Sequence, residues 1–300
     1  MVSTMEHGNQ HWIPRGYISA WCDPDPRKQN PRRVHRYDKD GLYIDYRTPK
    51  RIFSDEPELY TKWLADGGRD LSTEHALQRL EDAYVRVRNR LLTKRLPLTD
   101  EARADLFLFI SALRARSPSM RDHHAENDAA VLRVADNVKA SMLQMTPEQR
   151  RNLPRPLPSS GSGIPLEEFR RLAARPFGET LLNQIDIEAR LLGRMYLSIL
   201  VVPPGGERLI SSDNPVSWWD PFDPPPSRRP LGLCRDDIEV TLPISPTTCA
   251  IATHEPGEDY IDIGVDAVDE LNMRTLYRCR EVFISERSTL GVVWHPPLPG

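Results

Sequence analysis

The sequence predicts an α+β protein: a central helical bundle packed with a mixed or antiparallel sheet built from C-terminal strands and an N-terminal hairpin. Two observations carry this. Apolar residues recur at helical spacing through the middle of the chain, and short β-branched or aromatic runs between turn residues occupy both ends. A third, a hairpin near the N-terminus with no strand near it in sequence, implies that it joins or covers the C-terminal strands.

The hairpin reads as Val34–Tyr37 and Leu42–Tyr46 around an Asp40-Gly41 turn. A proline-rich polar loop between Trp21 and Pro31 precedes it. Leu77, Leu80, Tyr84, Val87 and Leu91 step by three and four residues, the spacing of one buried helix face. Ser72 or Thr73 is placed to cap that helix, with Glu74 in its first turn. Thr99-Asp100-Glu101 starts the next helix. Its body, Leu106 to Ile110, is apolar nearly all round and belongs at the centre of a core, and Ser117-Pro118 stops it. A long polar helix follows over Met120 to Met145, and Thr146-Pro147-Glu148-Gln149 is a capping box. Residues 154–163 read as a flexible Pro/Ser/Gly surface connector within a single domain of 1–300 rather than a domain boundary. A helix over Glu179 to Arg194 follows. Strands are expected at Leu197–Val202, Arg208–Ser211, Ile238–Leu242, Cys249–Ala252, Val282–Ile284 and Leu290–Trp294, with a helix at Val265–Arg280.

Hydrophobic residues make up 39% of the chain, enough for a sizeable core. Forty basic and 43 acidic residues leave a net charge of -3, so any nucleic-acid or phosphate-containing partner must be read from local clusters. Cys22, Cys234, Cys249 and Cys279 form no C-x-x-C pair and none sits at zinc-ligand spacing from a histidine, so they read as reduced, mostly core thiols. Met1 to Gln10 is too polar for a signal peptide, and the longest apolar run, Met195–Val202, is too short to span a bilayer. The expected location is cytoplasmic, with no membrane partner.

One set of marks occurs in a particular order. His11-Trp12-Ile13-Pro14 is followed by Tyr17-Ile18 and Trp21, then Ser72-Thr73-Glu74, Arg116-Ser117-Pro118 with Arg121, Ser212-Asp213-Asn214-Pro215, Leu242-Pro243-Ile244-Ser245-Pro246 and Asn272. This order resembles the bacterial domain-of-unknown-function family 4238, whose N-terminal signature is His-Tyr-x-Pro. Here tryptophan stands for the usual tyrosine, and Arg15-Gly16 for a more typical Gln-aromatic pair. The resemblance covers nearly the whole chain. It implies an architecture and assigns no activity.

The candidate site residues come from the chemistry of these marks. His11 can act as acid, base or metal ligand near neutral pH, or anchor the N-terminal segment by hydrogen bonds. Asp213, with Asn214, leaves a strand at a sharp pre-proline turn. Its carboxylate suits a metal or proton, or an Asx-turn. Arg114, Arg116 and Arg121 flank a helix break and suit a phosphate clamp, or are solvated faces paired with Glu81, Asp82 and Asp105. With Arg79, Arg86, Arg88, Arg90, Lys94 and Arg95 they form the one strongly basic region. Trp218, in Trp218-Trp219-Asp220-Pro221-Phe222, reads as a ligand-facing loop or an apolar lid. His123-His124 reads as solvent-facing, since adjacent helix positions point apart. No phosphate-binding glycine loop, nucleophile elbow or zinc-protease helix occurs.

Two readings remain open. In the first, the chain is a hydrolase, such as a phosphodiesterase or nuclease: His11 is acid or base, Asp213 with Asn214 completes the catalytic group, and Arg116, Arg121 and Trp218 bind substrate. No cofactor is specified, and a divalent metal is compatible with it. That reading requires His11, Asp213 and Arg116 to line one pocket. In the second, the chain is a non-enzymatic binding or interaction protein whose polar motifs are internal staples.

Overall fold

The hairpin forms where the turn residues place it. β1 (Val34–Asp38) pairs antiparallel with β2 (Tyr43–Arg47) in a computed structural model that describes residues 11–22, 32–54, 60–63, 68–152, 164–174, 180–224 and 231–290. Gly41 turns the chain at φ 85°, a left-handed conformation that a Cβ would disfavour. The Asp38 carboxylate closes the turn by accepting from the Asp40 and Leu42 amides.

The hairpin does join C-terminal strands. β11 (Val282–Ser285) lies between β1 and β6 (Ser211–Ser212), giving the order β2-β1-β11-β6. The C-terminal strands nevertheless divide between two sheets. β5 (Tyr196–Val201), β7 (Ser217–Trp219), β8 (Glu239–Ser245), β9 (Thr248–Thr253) and β10 (Tyr260–Asp262) form a second sheet, ordered β10-β5-β9-β8-β7. It is mixed, since β10 runs parallel to β5 while the other pairs are antiparallel. β7 and β10 have three residues each, too few to show a period of two, and Trp218 lies in a strand rather than a loop. β3 (Lys62–Trp63) and β4 (Arg69–Asp70) form a separate short ladder.

Eight α-helices occur among the described residues: α1 (Arg15–Ile18), α2 (Ser72–Arg90), α3 (Asp100–Ala115), α4 (Pro118–Gln144), α5 (Pro147–Arg151), α6 (Leu166–Ala174), α7 (Leu181–Leu192) and α8 (Val265–Arg278). The Thr99 hydroxyl caps α3 by accepting from the Ala102 amide, and Ser117 caps α4 through the Met120 amide. The start of α2 differs from expectation. Ser72 is its first residue, Thr73 is buried, and the Asp70 carboxylate accepts from the Ser72 amide instead. Before α5, Thr146 and Gln149 exchange side-chain to backbone bonds in both directions, as a capping box requires. Most of the proline-rich loop, the connector at 154–163 and the last expected strand, apart from Leu290, lie outside the described residues.

α3 is central, burying Leu106, Phe107, Phe109, Ile110 and Leu113, which is why its sequence is apolar nearly all round. The N-terminal segment docks onto the same core. Ile13, Tyr17, Ile18 and Trp21 are fully buried. The Tyr17 hydroxyl donates to the Pro243 carbonyl at 2.7 Å and lies 2.8 Å from Ser211 Oγ, touching both sheets at once. Trp21 donates its indole N–H to the Leu209 carbonyl. Gly16 matters for this docking, since a Cβ there would sit 3.0 Å from a Val85 methyl of α2. Cys22, Cys249 and Cys279 are buried thiols and Cys234 is exposed. No described helix is long and apolar enough to cross a membrane.

Candidate functional site

α1 presents its N-terminal end to the first turns of α2, and a cleft of about 560 Å³ opens between them. His11, Arg15, Glu74, His75, Glu81 and Arg116 supply its charged and titratable lining, with Asp82 at the rim. The cleft therefore joins residues more than 100 positions apart, because α2 and α3 pack side by side and the N-terminal segment lies across them.

His11 Nε2 is 3.2 Å from the Lys50 carbonyl oxygen. A carbonyl only accepts, so this bond needs a proton on Nε2. Burial first, and then the Arg15 guanidinium, lower the His11 pKa below its ordinary 6.5. At neutral pH the ring is uncharged, and the carbonyls of Lys50 and Pro49 are both acceptors beside it. The lowered pKa has a consequence for stability. Between the folded pKa and 6.5 the unfolded chain binds more protons than the folded one, so this contribution is complete above 6.5 and is lost as pH falls through the folded value. The expected result is that His11→Asn flattens the decline of Tm between pH 7 and pH 5 relative to wild type, as read by thermal melts across that range. An unchanged slope would show that His11 does not titrate in this way.

Arg116 sits at the floor, its side chain 2% exposed. Nε donates to the Ala112 carbonyl and Nη1 to Glu81 at 2.8 Å, and the guanidinium lies 5.9 Å from the centre of the Tyr60 ring. Nη2 is buried and has no acceptor. A buried guanidinium N–H without a partner is costly. The charged groups that bear on His11 are Arg15 and Glu81, and Glu81 is tied to Arg116; across the described lining two arginines, Arg15 and Arg116, face three carboxylates, Glu74, Glu81 and Asp82.

The other candidate residues lie elsewhere. Asp213 is buried, and its carboxylate accepts the backbone amides of Arg280, Glu281 and Val282 at 2.9, 2.7 and 3.1 Å. It lines a separate recess of about 230 Å³ together with Trp12, Arg36, Arg51 and Phe53. Burial, and then the Asp213 carboxylate, push the Cys279 thiol up and keep it protonated. Asn214 Nδ2 donates to the Arg278 carbonyl and reaches Ser119 Oγ. Trp218, in β7, stacks under the Arg114 guanidinium at 3.7 Å, and Arg114 pairs with the buried Glu188. Arg121 is in the first turn of α4, its amide bonded to Ser117. The structure thus brings His11 and Arg116 into one cleft and leaves Asp213, Asn214, Arg121 and Trp218 outside it. His123 is exposed and bonds Asn127, whereas its neighbour His124 is partly buried. Among the described residues, no three His, Cys, Asp or Glu side chains are grouped to hold a metal ion.

Sequence reasoning did not place Arg15, His75 or Glu74 in the site. Glu74 and Glu81 stand seven residues apart on α2, two helical turns, which puts both on the face turned to the cleft, but that spacing alone is equally that of a solvated stripe.

No curated protein and no solved structure matches this chain. Residues 9–289 match the model of one family, described as Protein of unknown function (DUF4238). The match runs through the docked N-terminal segment, the helical bundle and both sheets, and the chain belongs to that family.

Proposed function

We propose that the chain is a hydrolase of small phosphate-containing substrates, with the His11–Arg116 cleft as its active site. One observation supports this above the others: a buried guanidinium N–H of Arg116 lacks an acceptor in the cleft that the neutral His11 also lines. A phosphate oxygen would complete Arg116, with Arg15 adding charge at the rim. His11 would take a proton from the attacking water and return it to the departing oxygen, so that water and ester become alcohol and phosphate.

The probe is p-nitrophenyl phosphate, with its bis-ester, assayed with and without Mg²⁺. His11→Ala is expected to lower kcat by about 10²- to 10⁴-fold and to lower stability by only about 1 kcal/mol, the value of one hydrogen bond. The acid limb of kcat/KM should lie below pH 6.5, the direction in which burial moves His11. Arg116→Lys, which keeps the charge and loses the planar fork, should raise KM. If the wild type cleaves neither ester under either condition, the reading fails.

A specific observation favours the second reading for two of the marks. The Asp213 carboxylate and the Asn214 amide are spent on backbone groups of the α8–β11 connection, so they serve as staples in either case.

A further inference from the structure

A second cleft lies elsewhere on the molecule. It measures about 760 Å³ and lies beyond the C-terminal end of α2, between the turn Ser19–Trp21, the turn after α2 and the end of the second sheet where β5 finishes and β8 turns into β9. Among the described residues every charged side chain lining it is an arginine: Arg32, Arg88, Arg95 and Arg208. Three of the four sit there for a traceable reason. Arg88 is held by the Gly16 carbonyl at 2.7 Å and by Asn89. Arg95 follows the end of α2 in a left-handed conformation and forks onto Asp262. Arg208 leads into the Leu209–Ile210 segment, and its carbonyl accepts from Asn272.

These guanidiniums are not neutralised. Asp262 answers Arg95, and Glu286 stands 4.0 Å from Arg208 Nε, beyond hydrogen-bond reach. Among the described residues, that leaves two positive charges in excess over the two carboxylates. Arg208 Nε and Nη1 are buried and have no acceptor. The turn between β8 and β9 adds donors. Ser245 Oγ lies 3.2 Å from Thr247 Oγ1 and 2.7 Å from Thr248 Oγ1. Three hydroxyl protons serve two mutual bonds, so at least one is directed to something else. Ser19 and Thr93 add none, because they donate to the Gly16 and Arg88 carbonyls. Ala20, Leu92, Val201, Val202 and Pro204 supply apolar lining, a wall for an organic group.

We propose that this cleft is a binding site for a phosphorylated small molecule, its phosphate held by Arg208, Arg88 and Arg32 and its organic part against the wall from Leu92 to Pro204. Guanidinium forks with hydroxyl donors match tetrahedral phosphate oxygens, and the wall suits a ligand larger than the bare ion. No histidine or carboxylate lines the cleft among the described residues, so the site binds without acid–base chemistry. It shares no charged residue with the His11 cleft and does not rest on the hydrolase reading.

The test is isothermal titration calorimetry of the full chain with phenyl phosphate, inorganic phosphate, pyrophosphate and citrate. Phenyl phosphate should bind at one site per chain, more tightly than inorganic phosphate, and weaken as salt rises. Arg208→Gln should weaken phenyl phosphate and pyrophosphate by about tenfold or more, the loss of a charge-assisted hydrogen bond. Arg32→Gln, at an exposed position where folding is not at stake, should weaken them about threefold. His11→Asn should leave both unchanged. The proposal is overturned if neither phosphate compound binds saturably, if citrate binds as well as pyrophosphate, or if both arginine variants bind like wild type.

Discussion

Asp213→Ala is expected to destabilise the protein by about 4 kcal/mol, lowering Tm by roughly 6–12 °C. Asp213 is one residue with two jobs. Its amide donates to the Val282 carbonyl, continuing the β6–β11 pairing. Its carboxylate gathers the next three amides of the other strand's approach, from Arg280 to Val282. Those amides follow the end of α8, where the chain must turn sharply from helix into strand, and no backbone acceptor is in place for them. Removing the carboxylate leaves three amide donors without their acceptor in a turn where Arg280 and Glu281 are exposed and Val282 is half-buried, so water offsets part of the loss, and a bond to a charged acceptor is worth about 1.5–3 kcal/mol. Asp213→Asn keeps the shape and one carbonyl oxygen but aims an amide at backbone donors, so about half the loss is expected. Urea melts of both variants check this. A loss under 1 kcal/mol for Asp213→Ala would show that the carboxylate is not a staple and would return it to consideration as a reacting group.

Trp21→Ala is expected to be of similar size, about 3–5 kcal/mol. The side chain is fully buried, its ring 4.9 Å from Tyr17, and it lies where the N-terminal segment meets the Leu209 strand approach. Two effects combine, a cavity of indole size and an orphaned Leu209 carbonyl. Trp21→Phe separates them, because it refills most of the cavity and still loses the N–H donor. It should cost about 1–2 kcal/mol. If Phe and Ala variants melt alike, the hydrogen bond and not the packing holds the segment. Either way the His11 cleft is affected, since Trp21 fixes α1, and α1 carries Arg15 and Gly16 into that cleft.

The elements legible in the sequence were those whose signal is local and repeated. Leu77 to Leu91 shows one buried face four times over, and Thr99 and Ser117 announce their helices by the side-chain oxygen that the first turns need. β7 and β10 were not legible, for a strand of three residues is made by its neighbours' hydrogen bonds rather than by its own pattern. The α2 cap was misplaced because Ser72 and Thr73 are good capping residues by type, whereas the backbone path brings the Asp70 carboxylate to the free Ser72 amide.

The same division holds at the candidate sites. His11, Arg116 and Asp213 stood out as polar residues in turns or helix ends. Residue type alone could not say that Asp213 spends both oxygens on amides 67 to 69 positions away, or that Arg116 keeps one buried N–H unanswered. The basic run from Arg79 to Arg95 was visible as charge. The structure turns two of its members, Arg88 and Arg95, toward Arg32 and Arg208 from distant segments. By itself the sequence determined the α+β class, most helices and the family, because propensity, capping and apolar period act between near neighbours. Only the tertiary structure decided which polar atoms are satisfied, since that depends on partners brought together by packing from far along the chain.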